Sequence, residues 1–300
     1  MWLIIALVSY IAAAVVSILD KFILSNEKVS PLRFVFYSTI FVTPLFFLAP
    51  WTQLPVSWLD WLAAILVGFG FAGGLWTMYL GIAKSEISHI GPLIGGIIPL
   101  FVLLFSRVFL RETISGRQLL AIFLLVLGSL LISSEYTGKK QEWHGAIAWG
   151  LVAAILFAVS HVAAKYLYNQ IGFVGGFVWG RGFTGLFGVL LLLVPGFWRE
   201  LFSSRMKWFR IKTSVSKLTL VAIDKILAVA ALVLVQYAIF LGSVTVVNAL
   251  AGVQYAFLLI LVGVMSRFSP NRFHEEYSKT EIIQEIVSVV IIAIGLAFLL

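Results

Sequence analysis

The sequence contains no cysteine. Disulfides, thiol-attached haem and thiolate metal sites are therefore excluded. Charge is scarce: 11% of the 300 residues are Asp, Glu, Lys or Arg, against about 25% in an ordinary soluble domain. The four histidines stand far apart. No His-Glu-x-x-His pair, nucleophile elbow or phosphate-binding glycine loop occurs. These absences argue against an enzyme, a metal site, any cofactor and an ATP-hydrolysing domain. An intramembrane enzyme assembled from distant helices would need reactive groups that converge at one depth. The formal net charge of +8 reads as membrane topology and contact with anionic lipid rather than nucleic-acid binding.

What the chain has in abundance is apolar sequence: 61% of its residues are hydrophobic and the mean hydropathy is +1.07. Runs of membrane length fall near 2–24, 33–50, 59–81, 87–110, 115–133, 145–167, 174–197, 218–241, 245–265 and 281–300. They are continuous rather than alternating, which predicts helices and not a barrel. Trp2, Trp51, Trp58, Trp61, Trp143, Trp149, Trp198 and Trp208 lie near segment ends and suit interfacial belts. The opening Met1–Ile5 stretch has neither a basic leader nor a small-residue cleavage site and is read as a retained helix.

The spans form two sets of five. Tyr79-Leu80-Gly81 precedes one helix-length apolar run, and Phe240-Leu241-Gly242 precedes another. Ser17–Lys21 lies 144 residues before His161–Lys165. The polar stretch 134–144 separates a first unit, 1–133, from a second, 145–300. Five is odd, so related halves must enter the membrane from opposite sides. The expectation is an all-α polytopic membrane protein with ten transmembrane helices in two inverted five-helix repeats, a symmetry suited to alternating access. Lys and Arg concentrate in the odd connections, including Lys139, Lys140, Arg205, Lys207, Arg210 and Lys212, which places those loops in the cytoplasm and both termini outside. The stretch 199–217 alternates basic and apolar residues, as either a surface-lying segment or a topogenic loop.

Ionisable and polar residues inside the spans are the candidate site. His161 and Lys165 are one turn apart on one helix face, where they could receive an anionic group; Lys165 could equally snorkel to the interface. Asp20 and Asp224 each precede a lysine, and either carboxylate could carry a coupling proton. Arg181 sits between Gly180 and Gly182, open to a structural pairing, a helix bridge or a substrate carboxylate. Pro92 and Pro99, with Gly91, Gly95 and Gly96, are expected to break the fourth span. Trp76, Tyr79, Gln236, Tyr237, Asn248 and Gln254, with Gly252 and Tyr255, complete an aromatic-walled set with a few hydrogen-bonding groups, suited to a small organic solute. Each aromatic could also be plain helix packing.

The run Leu75–Pro99, continuing through Leu110-Arg111-Glu112 to Gly116 and Gly128, resembles the EamA family of the drug/metabolite transporter superfamily. Pro99 matches a proline of its fourth helix, Glu112 an acidic residue before its fifth, and Gly128 a glycine within its fifth. The resemblance extends over both five-helix halves. It implies secondary transport, often efflux of amino acids, related metabolites or drugs, through helices 1, 3, 4, 6, 8 and 9, with both termini commonly cytoplasmic. The connection 266–280 is enlarged relative to that pattern, and Glu275 or Glu276 stands where the single acidic residue belongs. The expected partners are a small polar organic metabolite, such as an amino acid or amine, membrane lipids and a coupling proton or ion, in a monomer or homodimer. The alternative is a non-transporting lipid-binding or scaffold protein.

Overall fold

The computed structural model describes residues 1–24, 30–83, 87–133, 140–202, 215–268 and 279–299. The described residues build helices α1 (Trp2–Leu24), α2 (Pro31–Ile40), α3 (Trp58–Ile82), α4 (Ile87–Phe105), α5 (Gly116–Ser133), α6 (Lys140–Leu191), α7 (Phe197–Phe202), α8 (Val215–Leu241), α9 (Val244–Ala249), α10 (Ala251–Phe268) and α11 (Lys279–Ala297). Among the described residues eight stretches are long and apolar enough to cross a membrane, and the apolar run Ile283–Ala297 is shorter. The protein is an all-α, polytopic helical membrane protein. Large apolar side chains such as Phe47, Phe109, Leu193 and Ile226 are exposed on it, as lipid contact requires.

The departures from regular helix have local causes. Ser30 caps α2, accepting from the Arg33 N–H, and Pro31 opens the helix, where its missing donor costs nothing. The second apolar span then tightens into a 3-10 helix over Thr43–Trp51, which includes Pro44 and Pro50. A reciprocal box of Ser57 and Asp60 starts α3. The interruption expected at Pro92 and Pro99 does not end α4, which runs through both. Each proline withholds a single N–H, a loss that neighbouring helices can make good inside a bundle. The change of geometry comes later, in a π turn over Ser106–Leu110 closed by Arg111 in the left-handed region at φ 54°.

Helix α6 is two helices in sequence. It bends at Ile171 and at Gly172, whose φ of 70° and ψ of 174° suit glycine alone. Its first limb packs on α3 and α4. Its second limb packs on α3, on α2 through Thr39–Gly188 and on the 3-10 helix through Thr43–Gly185. Helix α3 lies so close to the second limb that a Cβ at Gly68 would collide with Phe183 and the backbone of Thr184. Small residues at such seams let backbones approach where lipid offers no hydrophobic drive between helices. Elsewhere α1 packs on α8 and α10, α4 on α5 and α9, and α5 on α11. Several hydroxyls buried in these seams are satisfied along their own helix, as Thr77 to the Gly73 carbonyl and Ser129 to the Leu125 carbonyl, or across a seam, as Ser160 to the Val67 carbonyl and Ser9 to the Ala231 carbonyl.

Candidate solute-binding site

Polar side chains converge where the first limb of α6 meets the junction of α8 and α9. Helix α8 stops at Leu241, Ser243 caps α9 by accepting from the Val246 N–H at 3.0 Å, and every residue of α9 is buried. This short helix carries Asn248 inward. Its Nδ2 donates to the Val244 carbonyl at 2.8 Å, and its Oδ1 lies 2.6 Å from Nδ1 of His161. Because that carboxamide oxygen can only accept, His161 Nδ1 carries the proton and Nε2 is the ring's remaining position.

One turn along, Lys165 turns to the end of α8. Its Nζ donates to the Ile239 carbonyl at 3.0 Å and to the Phe240 carbonyl at 2.8 Å. A cation on the last carbonyls of a helix satisfies acceptors that have no partner of their own and offsets the negative end of the dipole. A further three residues along, Tyr168 donates through its hydroxyl to Oε1 of Gln236 at 2.8 Å. His161, Lys165 and Tyr168 thus line one face of α6, and each engages α8 or α9. Tyr168 escaped the sequence reading although its spacing from the other two marks the same face.

A second cluster ties the halves together beside this one. The Ser106 hydroxyl of the π turn is 2.9 Å from Oγ1 of Thr245, and Thr245 donates to Oε2 of Glu112 at 2.6 Å. The sequence marked Glu112 without a partner; Thr245 supplies it from α9. On α10, the Tyr255 hydroxyl donates to the Gly91 carbonyl at 2.8 Å, and its ring lies against Gly95. Gln254 reaches Oγ of Ser17 at 3.5 Å, the limit of a hydrogen bond.

The remaining candidates are dispersed. Tyr237 sits in an aromatic group with Phe173 and Phe240, at centroid distances of 5.1 and 5.9 Å. Tyr79 packs on Phe34 at 4.0 Å, away from His161, and Trp76 is 39% exposed. Asp224 is fully buried; Oδ2 pairs at 2.8 Å with Nζ of Lys225, and neither carboxylate oxygen has a hydrogen bond among the described residues. Arg181 is 2% exposed, with its guanidinium carbon 4.2 Å from the Phe71 ring centroid. The side chain of Asp20, the linker 134–139, most of 199–217 and the acidic pair Glu275 and Glu276 lie outside the described residues. Among the described residues no group of three or more His, Cys, Asp or Glu could hold a metal ion.

No curated protein matches the chain. Among solved structures, one titled only as the crystal structure of a protein superposes with a TM-score of 0.67 at 14% identity, covering 99% of this chain and 94% of its own. That likeness establishes a shared fold. Residues 1–134 match the EamA-like transporter family, so an EamA-like transporter domain occupies the first part of this multi-pass membrane protein.

Proposed function

We propose that the protein is a secondary active transporter that moves a small polar organic metabolite, an amino acid or related amine, across the cell membrane by alternating access. On this reading the two limbs of α6 count as separate spans and α11 as the tenth. Residues 1–133 and 145–300 are then inverted five-helix units joined by 134–144.

The observation that carries the reading is the pattern of helix pairs. Exchanging each span for its counterpart five places on turns the pair α3 with the first limb of α6 into α8 with α1. It turns α4 with that limb into α10 with α1, and α4 with α5 into α10 with α11. All of these pairs are in contact. Pairs that map onto one another under such an exchange are those that two related arrangements need, as opening first to one side and then to the other requires. The proposed solute contacts are His161, Asn248, Gln236, Gln254, Lys165, Tyr237, Trp76 and Tyr79. Asp224, buried beside the exposed Lys225, and Asp20 are the proposed coupling carboxylates.

Flux into proteoliposomes tests the reading. Uptake of amino acids, amines or related organic solutes above that of empty liposomes, raised by an imposed proton gradient, is the expected result. Uptake equal to that of empty liposomes across the panel, with folding verified, would leave lipid binding or scaffolding as the better account.

A further inference from the structure

Arg181 is buried in the second limb of α6, and its Nε and Nη1 are sealed from solvent with no hydrogen-bond partner among the described residues. No described carboxylate forms an ion pair with it. This is the costliest arrangement a side chain can have inside a membrane protein: a permanent cation, desolvated and unpaired. Trp179 Nε1 and Thr43 Oγ1 are also buried without a hydrogen bond among the described residues, but they are neutral. The ionisable and polar groups of the cluster on the first limb have partners. Lys165 is held by two carbonyls, His161 by Asn248, Tyr168 by Gln236 and Glu112 by Thr245.

The surroundings hold Arg181 in place without neutralising it. Gly180 packs against Val67 and Gly182 against the Phe46 ring. The guanidinium lies over Phe71, with Phe177 at 5.9 Å. Phe71 meets Phe157 edge-on at 5.6 Å, and Phe157 stacks on His161 at 6.5 Å. Through these rings Arg181 adjoins the cluster described above. A guanidinium with an aromatic ring on its face keeps its in-plane N–H donors, and the acceptor those donors fit is a planar or tetrahedral oxyanion.

We infer that Arg181 is the seat of a negatively charged group, a carboxylate or a phosphate, on the solute this protein binds. The inference rests on the transport reading above and narrows it: the solute carries an anionic end, whether or not it also carries an amine. The charge, uncompensated among the described residues, is compensated by the ligand, so binding energy is concentrated at this one contact.

The test uses the full-length protein in lipid nanodiscs and proteoliposomes. The probes are an N-acetyl amino acid, its carboxamide, the corresponding amine, and inorganic phosphate. Thermal stabilisation by the carboxylate or by phosphate, absent with the carboxamide and the amine, is expected. Arg181→Met should raise the melting temperature of the empty protein, because an unpaired charge is removed, while weakening the anion response about ten- to a hundredfold, the worth of a charge-assisted hydrogen bond. Arg181→Lys should keep part of the response. If Arg181→Met instead destabilises the empty protein, or stabilisation by the anions survives the substitution, Arg181 is a structural residue and the inference falls. The two readings fail separately. Arg181-dependent anion binding without flux would overturn transport alone. Flux of the carboxamide and the amine unaltered in Arg181→Met would overturn the anion seat alone. No stabilisation by any anion together with no flux would overturn both.

Discussion

His161 Nδ1 and Asn248 Oδ1 are 2.6 Å apart, and each holds the other's chemistry fixed. The carboxamide sets which ring nitrogen is protonated, and the ring leaves the carboxamide no alternative orientation. Truncating either alone strands a buried polar group. Asn248→Ala should destabilise the protein by about 1–3 kcal/mol, and the double substitution with His161→Ala should cost less than the sum of the singles by about 0.5–3 kcal/mol. Thermal unfolding of the four proteins gives the coupling directly; strict additivity would mean that the bond contributes nothing.

Lys165 terminates α8. Lys165→Met keeps the apolar stem and removes the donors from Ile239 and Phe240, so stability should fall by about 1–2 kcal/mol. Faster amide exchange at the C-terminal turn of α8 should accompany the loss. Unchanged exchange there would show that the carbonyls find other partners.

Thr245 joins the π turn to Glu112. Thr245→Val conserves the side-chain shape, removes both contacts of the hydroxyl and leaves Glu112 without its donor. A loss of about 1–3 kcal/mol in stability is expected. If this junction moves during the cycle, the same variant will change the solute exchange rate more than the apparent affinity, read from flux at graded solute concentrations.

Two glycines are required by geometry. Gly172→Ala places a side chain at φ 70° and should cost about 1 kcal/mol or more. Gly68→Val drives a branched side chain into the Phe183 backbone and should lower the yield of folded protein much further. Size-exclusion profiles of the two variants rank the effects, and an undisturbed Gly68→Val would refute the close α3–α6 seam.

The absence of native cysteine gives a clean background for topology. On the orientation expected from the charge distribution, both termini are outside together with the turn that contains Val56, which is 88% exposed, and the exposed Leu193 is inside. Val56→Cys should react with a membrane-impermeant maleimide in intact cells and Leu193→Cys only after permeabilisation. The reverse pattern would invert the orientation.

The sequence carried the helices plainly, because membrane length and continuous apolarity are local properties. The runs 145–167 and 174–197 read as two, and the chain does leave helical geometry between them, at Ile171 and Gly172; the sequence did not show that the limbs meet there without a polar loop. The face of α6 was legible from the spacing of His161 and Lys165. Its partners were not, because Asn248 and the α8 carbonyls arrive from more than 70 residues away. Aromatic residues were the poorest guide. Trp76 and Tyr79 share a motif in the chain, yet Tyr79 joins the packing around α2 while Trp76 is partly exposed. Only tertiary packing decides between such faces.

The cross-pairing of helices also bears on how the protein is made. During synthesis α1 emerges long before α8, and α3 before α6, yet these are the partners against which they pack. Helices α1 to α5 must therefore wait in the bilayer with the glycine-lined seams they share with later helices unfilled until α6 to α11 are inserted. A chain arrested after the linker would present those seams to lipid and to quality-control proteases, so assembly of this protein is a late event, governed by the last helices to arrive.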